Sequence, residues 1–532
     1  MSTHVPGLRR AAAVVVVATL LVSGCASEEE KEPRGQGKAL AEGFRNVDDG
    51  GEPVDGGTLT YGAYTEPASL DPTVTIAAAT TGGIEMANIY DTLLSFDPGK
   101  QEFVPRLAKA IEHDADYTTW TLTLRDGVTF SDGTPLDADA VVWSQQRYAA
   151  AKAPETALWA GNVTSATATD AHTVTYELAR PWPLFPGILS TGPGMVVARS
   201  SVGADGSFKS VGAGPFTLGD WKHGESLELE ARDDYWDGAP HLDSVRMAFL
   251  GDQRTSLDSL EGGDIDAALV RDPDLVDEVL EEKLPAYVNM RAASNVAIIN
   301  ASEGAAGHDV RVRRAIALAI DPDLMRERMF GGTGIASSDL FPDYSVWHTD
   351  AAGLRPDRAE ATKLVEEAKA DGWDGVIRYV DGTDPASRAA TQAVKASLEA
   401  VGMTLDPKPA RTISEQITRI AVERDYDLAG WSINFVEADP FARMYATMHS
   451  GGTQNYGMYT SPAMDEHIAA FQAATTKDDQ LAAITALQEQ VNEDVPFVTF
   501  GPFSELSVWT TKVHGITGGA NSMILLDDAW VD

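Results

Sequence analysis

Residues 117–144 read YTTWTLTLRDGVTFSDGTPLDADAVVWS, and this stretch does most to decide the fold. Within it, residues 118–124 alternate threonine with larger apolar side chains, which is typical of a β-strand with one buried face. Asp-Gly dipeptides at 126–127 and 132–133 are typical of turns. Val141 and Val142 form the apolar face of a helix predicted at Asp137–Ala149. The stretch therefore passes from strand to helix across two turns.

Strand and helix patterns alternate on either side of this stretch. Strands are predicted at Thr58–Tyr61, Thr173–Leu178, Leu227–Ala231, Val245–Leu250, Gly430–Phe435 and Phe497–Phe500. Helices are predicted after Asp309, at Pro322–Phe330, at Asp357–Ala370, after Ser461 and across Leu481–Val491. No repeat of about 20–50 residues is present, which argues against a solenoid or propeller. The pattern therefore predicts a mixed α/β fold in more than one lobe.

The composition excludes one large class of partner. The chain has 532 residues, with 41 Lys+Arg against 80 Asp+Glu and a formal charge of −39. Such an acidic chain repels nucleic-acid phosphates and has no basic patch, so no nucleic-acid partner is predicted. At about 150 residues per domain, the length predicts about three compact units.

The single cysteine lies at the end of an export signal. A pair of arginines precedes the apolar run Ala11–Leu21, which is too short to span a bilayer of about 30 Å and predicts a signal peptide over residues 1–24. The sequence VSGC at 22–25 resembles a bacterial lipobox and predicts a lipid anchor on Cys25. An ordinary cleaved signal with an incidental cysteine is the alternative, and the export route stays open. Residues 25–56 are rich in Glu, Gly and Asp and are predicted to be a flexible tether.

Signals for catalysis or a cofactor are absent from the sequence. No G-x-S-x-G, P-loop, H-E-x-x-H or EF-hand motif occurs, and no two of the ten histidines are spaced i, i+4. One cysteine cannot build a Cys cluster for zinc or iron–sulfur. We therefore predict no cofactor, no metal site and no enzyme activity.

Four stretches carry a family resemblance. They are Leu59–Pro72, Phe103–Arg147 with VPRLA at 104–108, Gly212–Pro240 with GPF at 214–216 and YWDG at 235–238, and His308–Pro322, followed by Trp431, Asp439-Pro440 and Asn455-Tyr456. From Gly57 to its end the chain resembles the bacterial extracellular solute-binding proteins of family 5, which serve ABC transporters for peptides, nickel complexes and opines. Most of these motifs also have structural explanations in turns, core tryptophans and internal ion pairs. The resemblance therefore identifies the fold more strongly than the ligand.

The resemblance implies a periplasmic-binding-protein-like α/β fold, with two lobes, a cleft between them and an additional inserted domain. Carried over to this chain, the first lobe comprises residues 57–95, 209–298 and 501–532, the inserted domain 96–208, and the second lobe 299–500. Binding shifts an equilibrium between open and closed lobes, because a ligand contacts both lobes only in the closed state.

The expected charged contacts to a peptide's ends are missing. In the peptide-binding members that the chain resembles, an aspartate three residues after the tryptophan equivalent to Trp431 pairs with the α-amino group, and here that position is Asn434. The arginine three residues before that tryptophan, used for a peptide carboxylate, corresponds to Leu428. Either the alignment slips locally, or the ligand is longer, neutral, blocked at its ends, or not a peptide.

Seven residues are predicted to line the cleft. Trp431, Asn434 and Phe435 come from one lobe, and Tyr64, Thr65, Glu66 and Tyr90 from the other. Structural roles compete with these predictions: Trp431 could pack in the core, and Glu66 could anchor its own proline-rich loop. Asp71 and Asp439, each before a proline, are interpreted as turn-forming residues.

The leading hypothesis is a lipid-anchored, monomeric binding protein for a peptide or peptide-like solute. It would lie on the outer face of the bacterial cytoplasmic membrane, or in the periplasm, and serve the permease of a cognate ABC importer. A protein that presents its ligand to a sensor, or a peptide-binding chaperone, is the first alternative. An extracytoplasmic hydrolase is the second. The sequence leaves open whether the ligand is an oligopeptide, a metal chelate, a sugar or another solute.

Overall fold

The computed structural model describes residues 40–48, 50–151 and 153–532. The predicted signal peptide and the predicted lipidation site Cys25 lie outside the described residues. The strands are β1 Gly43–Arg45, β2 Thr58–Gly62, β3 Leu94–Asp97, β4 Glu102–Pro105, β5 Ala108–His113, β6 Thr119–Leu124, β7 Val163–Asp170, β8 Thr173–Leu178, β9 Phe216–Lys222, β10 Ser226–Ala231, β11 Ser244–Ala248, β12 Ala267–Val270, β13 Ala286–Ile299, β14 Val376–Asp381, β15 Thr404–Pro409, β16 Leu428–Trp431, β17 Phe435–Val436, β18 Phe497–Trp509, β19 Val513–His514, β20 Thr517–Gly518, β21 Ile524–Leu525 and β22 Trp530–Val531. The α-helices are α1 Gly83–Tyr90, α2 Ala138–Ala150, α3 Thr156–Asn162, α4 Gln253–Gly262, α5 Pro273–Glu282, α6 Val310–Ala319, α7 Pro322–Phe330, α8 Arg358–Ala370, α9 Pro385–Glu399, α10 Ile413–Ile417, α11 Phe441–Met448, α12 Pro462–Ala473 and α13 Lys477–Asp494.

One twelve-stranded sheet runs through both lobes. Its order is β15-β14-β16-β13-β18-β12-β2-β11-β10-β9, with β1 and β17 also paired to β13. By the domain boundaries predicted from the sequence, the strands from β12 to β9 belong to the first lobe, and β15, β14 and β16 belong to the second. The long antiparallel strands β13 and β18 belong to both, because they pair from Ala286↔Val508 to Ile298↔Phe497. The mixed α/β, two-lobed fold predicted from the sequence is thus confirmed.

The crossing strands are irregular where they pass from one lobe to the other. The β13–β18 register shifts between Arg291 and Asn295. Within this interval Ala293 has a φ of 48°, and on β18 Gly501 has a φ of 154°. A Cβ on Gly501 would overlap the carbonyl oxygen of Ile335, so only glycine fits there. We refer to this irregular region as the hinge.

A separate sheet of order β5-β6-β8-β7 lies in the region predicted as the inserted domain. Trp120, Leu122 and Leu124 of β6 are buried, as their alternation predicts. Helix α2 covers this core and begins at Asp137, whose carboxylate accepts a hydrogen bond from the Ala140 N–H. The insertion also contacts the second lobe, because Gln472 Nε2 donates to Asn162 Oδ1 at 2.7 Å.

Each lobe of the large sheet has its own helical layers and core. In the second lobe, Val312 of α6, Leu364 of α8 and Val394 of α9 are buried in one cluster with β14 and β16. Burial of each such side chain stabilises the fold by about 1.5–3 kcal/mol. The aspartate predicted to begin the first of these helices, Asp309, accepts from the Arg311 N–H.

The strand predicted at Gly430–Phe435 is interrupted, and that prediction is corrected. Strand β16 ends at Trp431 and β17 begins at Phe435. Between them Asn434 has a φ of 63°, a left-handed conformation that Asn tolerates better than most residues. The chain therefore turns between two short strands on the edge of β13.

Part of the predicted tether lies in the described body. Strand β1 pairs antiparallel with β13, with Phe44 opposite Tyr287. The Phe44 ring stacks on that tyrosine at 4.9 Å between centroids, and Leu40 is only 4% exposed. The body therefore includes the segment Leu40–Arg45. The domain boundaries drawn from the sequence otherwise stay predictions.

Candidate functional site

Polar side chains follow the carboxyl ends of parallel strands in both lobes. In the first lobe β2 runs parallel to β12, and Tyr64 and Asp272 follow their ends. In the second lobe β14, β15 and β16 are parallel, and Asp381 and Asp384 lie at and beyond the end of β14. Ligands of open α/β sheets bind outside the carboxyl ends of the strands. These ends are therefore the candidate cleft walls.

The carboxyl of Asp272, which follows β12, interacts electrostatically with a carboxylate of the second lobe. Burial raises the pKa of Asp272, and the carboxylates of Asp274 and Asp384 raise it further. Because Asp384 belongs to the second lobe, the electrostatic coupling acts between the lobes. Arg271 lowers the same pKa, so this part of the cleft carries charges of both signs.

The wall of the first lobe carries an exposed tyrosine beside an arginine. Tyr64 is 39% exposed, and the Arg271 guanidinium lies 5.4 Å from its ring centroid. The same guanidinium lies 4.7 Å from the centroid of Phe503 and 3.6 Å from Glu505. The predicted site residue Thr65 is exposed next to Tyr64. Both predicted residues are therefore available on this wall.

Glu66 has its hydrogen-bonding groups engaged within the first lobe. Its carboxylate lies 2.7 Å from His223 Nδ1 and accepts from Trp221 Nε1 and the Gly224 N–H at 2.9 Å. These contacts, the one with His223 foremost, lower the pKa of Glu66. The side chain holds its loop onto the hairpin between β9 and β10.

Two of the predicted site residues lie in the core. Tyr90 has no exposed surface, and its hydroxyl donates to the Leu70 carbonyl at 2.7 Å. Phe435 is equally buried and stacks on Phe341 with 5.5 Å between centroids. The structure does not bring either side chain together with Tyr64.

Trp431 and Asn434 lie together beside the hinge. Trp431 is half-buried and meets Tyr456 edge to face at 5.6 Å. Oδ1 of Asn434 lies 2.7 Å from the Ser294 hydroxyl, and the Asn434 N–H donates to the Ala293 carbonyl at 3.4 Å. The amide therefore anchors the turn after β16 to β13.

A buried acid beneath this turn was not predicted from the sequence. Asp381 accepts from the Tyr379 hydroxyl and the Gly382 N–H, each at 2.7 Å. Burial raises its pKa to about 6. A Cβ on Gly430 would lie 2.6 Å from Asp381 Oδ2, so the glycine is required for this close approach.

Two small adjoining cavities lie where the insertion and both lobes meet. The larger, of about 50 Å³, is lined by residues of all three parts, among them Glu155, Ser190, Asp439, Arg443 and Asn521. The smaller, of about 30 Å³, shares Glu155 and Arg443 with it. Volumes of this size hold water rather than a drug-sized ligand, so the lobes are closed on each other here.

Arg443 is the principal cation of these cavities. Its Nε and Nη2 donate to the Ile433 carbonyl at 2.9 and 2.6 Å, and Nη1 donates to Gln454 Oε1 at 2.6 Å. Burial lowers the pKa of Arg443 to about 10. Among the described residues, no carboxylate forms an ion pair with it.

The two carboxyls that line the cavity are held by other partners. The Tyr148 hydroxyl donates to Glu155 Oε2, and Asp439 Oδ1 accepts from the Phe441 N–H at 2.9 Å. Burial raises the pKa of each acid to about 7. The Asp439 contact is the turn-forming role that its place before a proline predicts. The sequence did not point to Glu155 or Arg443.

A family profile matches most of this architecture. The profile described as "Bacterial extracellular solute-binding proteins, family 5 Middle" matches residues 102–455, which is more than half of the chain. The chain belongs to this family. The resemblance drawn from the sequence motifs is thereby confirmed.

Known family 5 relatives match the chain over most of its length. Protein XP55 of Streptomyces lividans is 28% identical over 502 residues, covering 88% of this chain and 88% of its own. The probable D,D-dipeptide-binding periplasmic protein DdpA of Escherichia coli is 26% identical, covering 83% and 87%. The structure of the E. coli murein tripeptide binding protein MppA superposes with a TM-score of 0.77 at 20% identity, covering 90% of this chain and 99% of that one.

Two further features concern membrane-spanning helices and metal-ligand spacing. In the part of the chain that the structure describes, no helix has the length and apolarity needed to cross a membrane. Within the same residues, Glu261, Glu278 and Glu282 are the one carboxylate group with metal-ligand spacing. Glu278 is paired with Arg254 at 2.6 Å.

Proposed function

We propose that this family 5 protein captures a peptide or peptide-like solute by lobe closure and delivers it to an ABC importer. The observation that carries the proposal is the cleft itself. Parallel strands end at polar residues in each lobe, and the two crossing strands of the hinge join the lobes. A solute held between the walls gains contacts to both lobes only when they close, so binding favours the closed state.

The names of the relatives support a peptide-like solute. DdpA and MppA carry dipeptide and murein tripeptide in their names, and both match this chain over more than four fifths of its length. We infer that the cleft offers aromatic surface at exposed Tyr64 and half-buried Trp431, with a polar group at half-buried Asn434. Aromatic faces with a few placed polar groups are typical of sites for amide-rich ligands.

We also infer that the protein is anchored outside the cell through a lipid on Cys25. The lipobox sequence at 22–25 supports this inference. The substitution Cys25→Ala should abolish incorporation of labelled palmitate and leave the precursor uncleaved by the lipoprotein signal peptidase. Labelling that persists in this variant would overturn the assignment.

Native mass spectrometry tests the solute class. Protein purified without denaturation should carry a solute whose fragments identify it as a peptide or a related amide. We expect Trp431→Ala to lose this solute, and Trp143→Ala, on helix α2, to retain it as a matched control. A retained metal chelate or sugar would contradict the peptide proposal.

Two further measurements separate the importer from the alternatives. Crosslinking in cells should recover a permease, whereas recovery of a sensor kinase without a permease would favour ligand presentation. Bound solute should be chemically unchanged after long incubation with the protein. Cleaved solute would instead indicate a hydrolase.

A further inference from the structure

The cavities beside Arg443 have the electrostatic character of an anion site. Arg443 lies in the first turn of α11, where the helix dipole presents partial positive charge, and no acidic residue occupies that turn. The guanidinium charge and the helix dipole therefore have the same sign at the same place. Neighbouring Asn434 adds no charge to balance them.

The hydrogen bonds of Arg443 leave part of the guanidinium free. Each terminal nitrogen of an arginine carries two N–H groups. Nη1 donates one of its N–H groups to Gln454, and Nη2 donates one to the Ile433 carbonyl. Among the described residues, no acceptor pairs with the second group of either nitrogen. Because Arg443 lines both cavities, these two groups are available to a bound solute.

The charged groups facing Arg443 do not neutralise it. Arg291 of β13 is itself a cation and is paired with Glu505 at 3.1 Å. Glu155 faces Arg443 from the insertion, but burial raises its pKa to about 7, so its carboxyl balances the cation only in part at neutral pH. Tyr456 contributes a neutral phenol whose pKa is raised, chiefly by burial. Burial also raises the pKa of Asp439, which lies on the wall of the larger cavity.

We propose that Arg443 binds a carboxylate of the solute, which therefore carries a free acid group in the cavities that Arg443 lines. This inference rests on the proposed capture of a peptide-like solute. A planar guanidinium with two free N–H groups suits the two oxygens of a carboxylate. The neutral carboxyls of Glu155 and Asp439 can donate to the same anion in their protonated form. Arg443 is thus a specificity-determining residue for the charge of the solute.

The experiment compares acids with amides. The first probe is a mixed library of tri- to pentapeptides, made once as free acids and once as C-terminal amides. The second is a set of non-peptide carboxylic acids and their primary amides. Binding to the wild-type protein and to Arg443→Gln, Arg443→Lys and Arg328→Gln is measured by titration calorimetry. Arg328 is exposed on α7 and serves as the charge-matched control.

The wild-type protein and the Arg328→Gln control should prefer the free acids. Arg443→Gln should lose about 10- to 100-fold in affinity for acids and little for amides, because a hydrogen bond to a charged group is lost. Arg443→Lys should retain the preference with weaker affinity. Should Arg443→Gln fail to fold, the lysine variant decides, and equal binding of acids and amides by it would overturn the proposal.

The remaining outcomes separate this inference from the proposed function. Equal binding of acidic and amidated peptides by the wild-type protein, or an undiminished preference in folded Arg443→Gln, would overturn the role of Arg443 and leave peptide capture standing. An Arg443-dependent preference for the non-peptide acids alone would overturn peptide capture and support the role of Arg443. Binding of neither probe set would overturn both.

Discussion

The Ser294 hydroxyl lies 2.7 Å from Oδ1 of Asn434 and so joins the irregular part of β13 to the turn after β16. The same turn is held by the Ile433 N–H, which donates to the Ala293 carbonyl at 3.2 Å. Asn434, which is predicted as a ligand contact, thus also attaches the turn to the hinge region of β13. A change in the angle between the lobes acts on this joint.

Asn434 should tolerate glycine better than a β-branched residue. Asn434→Val must adopt a φ of 63° and loses the acceptor for Ser294, so we expect a loss of about 2–4 kcal/mol in the free energy of unfolding. Asn434→Gly loses only the acceptor and should cost about 1 kcal/mol. Urea unfolding of both variants checks this. Equal losses would show that the left-handed conformation is unimportant.

Gly501, the one glycine in the crossing strands β13 and β18, should not tolerate a side chain. Gly501→Ala places a Cβ against the Ile335 carbonyl at a φ of 154°, so we expect a loss of about 2–4 kcal/mol in stability. Gly206→Ala is the control, because Gly206 also has positive φ but has open space around it, and it should cost about 1 kcal/mol. Thermal or urea unfolding distinguishes the two. A Gly501 variant as stable as the control would contradict the packing argument.

Arg106 should be essential for joining the insertion to the first lobe. Its Nε donates to Asp91 at 3.0 Å and its Nη1 to Asp527 at 2.9 Å, and all three side chains are largely buried. Arg106→Met leaves two buried carboxylates without their cation and should cost about 3–5 kcal/mol. The exposed Lys100 pairs with Asp97 on the surface, so Lys100→Met should change the unfolding midpoint little. Similar midpoints for the two variants would sink this expectation.

The pH dependence of stability should report the burial of Asp439. Burial raises its folded-state pKa from 3.8 to about 7, so the native state holds the proton more tightly than the unfolded chain. This contribution to stability is full below about pH 4 and is lost as pH rises to about 7. Asp439→Asn removes the dependence. Relative to wild type, the variant should therefore gain about 2–3 kcal/mol in stability between pH 5 and pH 8.

An exposed acid supplies the control for this measurement. The Asp220 side chain is 74% exposed, so Asp220→Asn should keep the pH profile of the wild-type protein. Urea unfolding at both pH values provides the data. An Asp439→Asn profile parallel to that of wild type would show that the carboxyl does not titrate in the folded state as proposed.

The sequence predicted the parts of the fold whose periodicity is local. The strand at Thr173–Leu178 has the predicted bounds, and the helix predicted at Asp137–Ala149 is observed as α2, Ala138–Ala150. Strand β13 was not predicted, because Asn289, Arg291 and Ser294 interrupt its apolar residues. All fourteen of its residues are buried. Arg291 and Ser294 find partners that are distant in the sequence, Glu505 and Asn434.

The family motifs predicted the scaffold rather than the site. Arg106 of the VPRLA motif and Tyr235 and Trp236 of the YWDG motif all contact the carboxylate of Asp91. Arg443 lies in no comparable motif. Its proposed role depends on its burial between parts of the chain that are distant in sequence. A sequence pattern cannot show which arginine lacks a carboxylate partner.

The attachment of β1 to β13 affects how force would reach the lobes. Residues 43–45 pair with residues 286–288, a few positions from the hinge at Ala293. A pull applied through β1 therefore enters the fold at β13, a strand that both lobes share. With the proposed anchor at Cys25, tension from a membrane would reach this shared strand before any strand that belongs to one lobe alone.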